Sequence, residues 1–161
     1  MGEMAEQSVP RRVAVGSDMH HDTAAAVAEH LDRQGAIVVR CGAVAGPDVP
    51  WPDVAEQVAR LVAHGAVDAA VLCCWTGTGV SIAANKVPGV RAALCNDIET
   101  ARGARQWNDA NVLALSLAST DAATANDIVD VFLQTQDVDE SERRNIARVS
   151  ELEERYGSRR V

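Results

Sequence analysis

The stretch VLCCWTGTGVSIAANK, residues 71–86, constrains the fold of this chain more than any other. The apolar run 69–73 reads as a strand buried on both faces, a Gly/Thr turn follows it, and Ser81 is expected to cap a helix starting SIAANK. At a strand–turn–helix junction the first backbone N–H groups lack intrahelical acceptors and the helix dipole adds partial positive charge. Such a turn suits a phosphate or a developing oxyanion. Cys74 stands at its mouth, where a thiol at the C-terminal end of a parallel strand can serve as base or nucleophile. Free cysteine is also often a small buried hydrophobe, and a single Gly-x-Gly turn occurs in α/β proteins that hold no phosphate. The turn alone leaves both readings open.

The flanking sequence repeats the same alternation. Residues 12–16 form a β-branched run, followed by SDMHHD and an Ala-rich helix to about Gln34, with Asp22 as its expected cap and Gly35 as its stop. A second apolar run at 37–41 leads through a Gly- and Pro-rich loop to a helix with Pro52 in its first turn. Val54, Val58, Leu61 and Val62 recur there at helical spacing. Beyond the SIAANK helix come a strand at 90–94 and an acidic helix start at Asn96-Asp97-Ile98-Glu99, with that helix ending near Gln106. A fifth strand at 112–115, a helix capped by Thr120 or Asp121 and running through Leu133, and a last helix over about 141–156 complete the order. Five strands alternating with helices predict an α/β, Rossmann-like three-layer sandwich. Its five-stranded sheet is parallel, its crossovers right-handed, and its ligand sits at the carboxyl ends of the strands.

Composition narrows the partners. A chain of 161 residues, 47% hydrophobic, can bury one sizeable core, so one domain is expected from residue 12 to 161, preceded by a polar, aperiodic leader at 1–11 read as disordered. A net charge of -8 and the lack of a basic run oppose nucleic acid as a partner. No apolar run approaches the roughly 20 residues of a membrane span, and no signal-peptide region opens the chain, so no membrane association and a cytoplasmic location are expected. Cys41, Cys73, Cys74 and Cys95 show no CxxC spacing and read as reduced thiols, with neither a disulfide framework nor a metal site. The charged run of the last helix is either a solvated face with i,i+4 pairs or an arm reaching a partner subunit.

The run CCWTGTGVSIAANKVPGVRAALCND, together with ARQWNDANVLAL and the preceding GSD, resembles the type B ribose-5-phosphate isomerase and galactose-6-phosphate isomerase family, over residue 13 to about 156. The resemblance implies aldose–ketose isomerisation through a cis-enediolate without metal or organic cofactor. It also implies a phosphorylated small-molecule substrate and a homodimer or dimer of dimers with shared active sites. Carried over residue by residue, it makes Cys74 the proton-transfer base, with Thr76 and Asp18 beside it, and Gly77, Thr78, Gly79, Val80 and Ser81 the anion hole. It also puts Asn108 in the pocket and makes Arg144 and Arg148, in the last helix, the pair that reaches substrate phosphate.

The chain departs from the family pattern at defined positions. Trp75 replaces a Gly after the cysteine, and Trp107 replaces the ring-opening His of a His-Asn-Asp triplet. The Asp-His pair near the first strand is Asp18-Met19, with His20 and His21 close by but out of register. A Gly-x-Arg after the fifth strand is Ser116-Leu117-Ala118. Indole transfers no proton near neutral pH, so Trp107 cannot open a sugar ring as imidazole does. Only 3% of the residues are aromatic, and Trp51, Trp75 and Trp107 all fall on or beside loops expected at the strand carboxyl ends. They are expected to line a pocket, with packing at a subunit interface as the other explanation.

Two functions follow as expectations. One is a cofactor-independent isomerase of altered specificity, acting on a sugar phosphate or related hydroxy-carbonyl compound with Trp75, Trp107, Asn108, His20, Arg144 and Arg148 contacting substrate. The other is a diverged family member without that activity, binding or transforming an aromatic or glycosylated metabolite.

Overall fold

The computed structural model describes residues 11–157. The leader expected at 1–11 lies outside the described residues apart from Arg11, whose guanidinium donates to the carbonyl of Leu133. The elements run β1 (Arg12–Ser17), α1 (Asp22–Arg33), β2 (Ile37–Gly42), α2 (Trp51–Ala63), β3 (Ala69–Cys74), α3 (Thr78–Ala84), β4 (Ala92–Leu94), α4 (Ile98–Asn108), β5 (Val112–Ser116) and α5 (Ala122–Gln134). A 3-10 turn, Glu140–Glu142, then leads into α6 (Arg143–Gly157). The five strands form one sheet in the order β2-β1-β3-β5-β4, and every pairing is parallel.

Residue alternation along the strands separates two apolar layers. Val13, Val15, Val71, Cys73, Leu113 and Leu115 face α1, α4 and α5, where Val27, Leu31, Ile128 and Phe132 close one core cluster. Ala14, Ala70, Leu72, Cys74 and Ala114 face α2 and α3, against Val54, Val58 and Val80. With both faces covered, the central strand β3 is buried at all six positions, which is why it reads as an unbroken apolar run. Each fully buried Leu or Phe contributes about 1.5–3 kcal/mol relative to exposure.

Local signals account for most helix ends, with two corrections and one choice between alternatives settled. Helix α3 begins at Thr78 with Gly77 as its cap, so Ser81 lies inside the first turn rather than ahead of it. The φ of +76° at Gly77 turns the chain into the helix ahead of Ser81. Helix α1 is capped by His21, whose Nδ1 accepts from the Thr23 N–H at 3.1 Å, and Asp22 is its first residue. Of the two candidates for α5, Asp121 is the cap, accepting from Thr124 N–H at 2.8 Å, whereas the Thr120 carbonyl accepts from Thr23 Oγ1. Among the described residues, no helix is long and apolar enough to cross a membrane.

Candidate active site

The chain leaves β1 for β2 on one side and comes back to β3 on the other, sending α1 and α3 to opposite faces of the sheet. In a doubly wound sheet the crevice beyond the carboxyl ends of strands at a switch in order, here β1 and β3, is the usual ligand position. Ser17 and Cys73 are the last paired residues of these strands, so Asp18 and Cys74 emerge side by side, about 5 Å apart in the spacing of neighbouring strands. Cys74 is 5% exposed, while Cys73 points to the opposite layer and is fully buried. Burial pushes the Cys73 thiol up to about 12, with Cys74 and Asp18 adding to the shift, and burial also raises the thiols of Cys41 and Cys95. Those three stay protonated at neutral pH, which leaves Cys74 as the cysteine set at the crevice.

Burial also raises the Asp18 carboxyl above its ordinary value, against the lowering effect of its own backbone N–H, and nearby Asp48 adds to the rise. Its Oδ1 is buried and has no hydrogen-bond partner. An unpartnered carboxylate oxygen is costly unless something else supplies the donor, as a substrate hydroxyl would. Asp48 lies in the loop after β2, held against the site by the Val49 N–H donating to Asp18 O at 2.9 Å. It accepts from both the N–H of His20 (3.0 Å) and the ring Nδ1 of that residue (2.7 Å).

The turn after Cys74 is tightly fixed. Leu117 N–H donates to Cys74 O at 3.0 Å, and Ala118 N–H and Ser116 Oγ both donate to Trp75 O. Thr76 Oγ1 and Thr78 Oγ1 share a hydrogen bond of 2.8 Å. A Cβ on Gly77 would lie 2.5 Å from Leu94 Cδ1 and 3.0 Å from the Leu115 backbone, so the turn needs glycine both for space and for its positive φ. The first amide to find an acceptor is Ser81, bonded to Gly77 O at 3.4 Å. The N–H groups of Thr78, Gly79 and Val80 are left without intrahelical partners.

Two indoles stand at this end. Trp75 is 55% exposed and meets the His21 ring edge-on, with centroids 6.5 Å apart. Trp51, at the start of α2, packs on Gly79 in the turn. The sequence flagged Trp51 only as one of three tryptophans near the loops and His21 only as lying close to the Asp18 position out of register; neither contact was legible from it.

Trp107 and Asn108 are not at this end, contrary to the sequence expectation. They close α4, and every helix here runs antiparallel to the strands, so they lie by the amino ends of β4 and β5, where Asn111 N–H and Val112 N–H bond to Arg91 O. The Trp107 ring lies over Gly103, one turn back on its own helix. Helix α6 packs against α4 at the same end, held by Asp139 N–H on Gln106 O and by the Glu153 carboxylate on Gly89 N–H. Arg144 and Arg148 lie one turn apart on α6, and Arg148 is exposed and paired with Glu151 at 2.8 Å. Within one chain the expected site residues therefore form two groups at opposite ends of the sheet. A groove of about 740 Å³ runs beside the second group, lined by Val90, Arg91, Asn108, Val149, Leu152 and Tyr156.

Comparison with known proteins bears on the fold and the family. The Ribose/Galactose Isomerase family description matches residues 13–152. Ribose-5-phosphate isomerase B of Escherichia coli (strain K12) is 35% identical over 150 residues, 90% of this chain and 98% of that protein. Galactose-6-phosphate isomerase subunit LacB of Clostridium acetobutylicum is 35% identical over 125 residues, covering 77% and 72%. The structure of Clostridium thermocellum ribose-5-phosphate isomerase B superposes with a TM-score of 0.85 at 36% identity, over 90% of this chain and 99% of that one. The Trypanosoma cruzi type B enzyme gives a TM-score of 0.82 at 39% identity, over 92% and 99%. With the match spanning nearly the whole described chain in sequence and in fold alike, the protein belongs to the ribose/galactose isomerase family.

Proposed function

We propose that the protein is a cofactor-independent aldose–ketose isomerase that works in the cytoplasm on a sugar phosphate or related hydroxy-carbonyl compound. The observation that carries this reading is the placement of Cys74 beside Asp18, whose Oδ1 lacks a partner, next to a turn whose first amides lack intrahelical partners. Moving a carbonyl between adjacent carbons requires one base to carry a proton between them and donors for the enediolate oxygen. Cys74 takes the proton from the carbon beside the carbonyl and returns it to the neighbouring carbon. The amides of the turn 77–81 and the Thr76 hydroxyl oppose the developing negative charge, and Asp18 accepts from a substrate hydroxyl.

The site is completed in a homodimer or dimer of dimers. Trp107, Asn108, Arg144 and Arg148 of a second copy close over the crevice, the arginines sharing the substrate phosphate in the bidentate manner that suits guanidinium. Support comes from the separation of the two groups within one chain and from α6, which buries no residue and leaves Val149, Leu152 and Tyr156 exposed beside the groove. With indoles at 75 and 107, the preferred substrate is one that needs no ring opening.

A second reading, a family member that binds an aromatic or glycosylated metabolite without isomerising sugars, is favoured by the exposed rings of Trp75 and Trp51. Kinetics with ribose 5-phosphate and with the open-chain erythrulose 4-phosphate separate the two. The isomerase reading expects turnover of at least one compound, with ribose 5-phosphate about a hundredfold less efficient, the scale of one acid–base group. It also expects turnover to be abolished in Cys74→Ser with unchanged folding. No turnover of any sugar phosphate would leave the second reading.

A further inference from the structure

The two carbonyls that lead from β3 into the turn are both held by the chain beyond β5. Leu117 N–H donates to Cys74 O at 3.0 Å, and Ala118 N–H to Trp75 O at 2.8 Å. Trp75 O accepts a second bond, from the Ser116 hydroxyl at 3.1 Å, although 41 positions separate the two residues. Ser116 is the register partner of Cys74 and is 5% exposed. It continues the Val112, Ala114 alternation that faces α2 and α3, so its side chain shares the layer of Cys74. Ser17, the other buried serine among the described residues, closes instead on its own turn by donating to Met19 O.

The direction of one peptide group follows from these bonds. The Trp75–Thr76 peptide is trans and planar, so its N–H points opposite to its C=O. With the carbonyl held toward β5, the Thr76 N–H faces the other side of β3, where β1 ends and Asp18 emerges. Among the described residues that N–H makes no hydrogen bond. A carbonyl with two donors also polarises its peptide, which makes the N–H a stronger donor.

Building on the isomerase reading above, we infer that Ser116 is a positioning residue whose hydroxyl fixes the Trp75–Thr76 peptide, so that the Thr76 N–H is aimed at the enediolate oxygen. With Ala118 N–H as the only donor, the peptide tilts about a single bond; a second donor on the same oxygen holds its plane. The Ser116 hydroxyl itself touches no substrate and takes no proton.

Ser116→Ala leaves Trp75 O its bond from Ala118, so no buried group is orphaned, and the melting temperature is expected to fall by no more than about 4 °C. Kinetics use whichever of ribose 5-phosphate and erythrulose 4-phosphate the wild type turns over faster. In Ser116→Ala, kcat is expected to fall about 10–100-fold with KM within about threefold, short of the about 10²–10³-fold loss of an oxyanion donor removed outright. Two ligands give a readout that does not depend on turnover. Affinity for the phosphorylated hydroxamic acid of matching length, a planar mimic of the enediolate, is expected to fall about three- to tenfold. Affinity for the matching polyol phosphate, which has no carbonyl, is expected to stay within about twofold. Ser116→Thr keeps the hydroxyl and is expected to restore kcat and hydroxamate affinity to within about threefold of wild type. Ser116→Cys, isosteric but only a weak donor, replaces Ser116→Ala should that variant not fold. Wild-type kcat in Ser116→Ala, equal losses of affinity for the two ligands, or a folded Ser116→Thr as impaired as Ser116→Ala each overturn the role of Ser116 and leave the isomerase reading intact. A wild type that turns over no sugar phosphate ends the isomerase reading itself, and the role of Ser116 with it.

Discussion

The indole of Trp51 lies so close against Gly79 that a Cβ there would come within 3.1 Å of two ring atoms. Helix α2 thereby forms a wall of the turn that follows Cys74. Trp51 is 44% exposed and can swing outward, so Gly79→Ala is expected to cost less than about 1 kcal/mol of stability, below the usual range for overpacking a closed core. The displaced ring should instead raise KM, and adding Trp51→Ala should restore it. Independent effects of the two substitutions, measured as a double-mutant cycle, would show that the contact does not shape the site.

Gly77 has no such outlet. Its φ of +76° and the approach of Leu94 and the Leu115 backbone combine a conformational penalty of about 1–2 kcal/mol with about 1–3 kcal/mol of overpacking. Gly77→Ala is expected to cost about 3 kcal/mol and to abolish turnover, as read by urea unfolding and steady-state assay. Near-wild-type stability would mean that the turn can take another path.

Asp18 sets function against stability. Its folded carboxyl lies above the ordinary value of 3.8, so the favourable protonated form is lost as pH rises through the folded value, and the buried carboxylate burdens the fold at neutral pH. Asp18→Asn is expected to raise the melting temperature at pH 7, with the gain shrinking as pH falls toward 4, and to reduce activity. Calorimetry across that range decides the matter, since parallel melting curves at every pH would contradict the partial burial of the carboxylate with its unpartnered Oδ1.

Shared sites predict complementation. On the proposed shared site, Cys74→Ser would remove the base and Arg148→Ala a phosphate contact, yet a mixed dimer of the two would carry one intact site. With random pairing, co-expression should recover about a quarter of wild-type activity, as expected for a two-fold interface. No recovery, or a monomer by light scattering, would refute the shared site.

Much of this protein was legible in its residues, because the signals involved are local. Strand runs, the acidic helix start at 96–99, the cap at Thr120 or Asp121, and the Gly-rich turn after Cys74 each depend on a few neighbouring residues. The α1 cap was misassigned because Asp22 and His21 both carry acceptors. The extended backbone of His21 (φ −159°) settled the choice. Trp107 was misplaced for a different reason: a loop residue's composition does not reveal which end of the sheet it occupies. Only the packed β-α-β arrangement, with each helix running back against its strand, sends the end of α4 away from Cys74. The pairing of Asp18 with Cys74 across two strands, the contact of His21 with Trp75 and the seating of Trp51 on Gly79 are likewise long-range. They exist because parallel register and helix packing bring distant segments together, and no sequence window contains both partners.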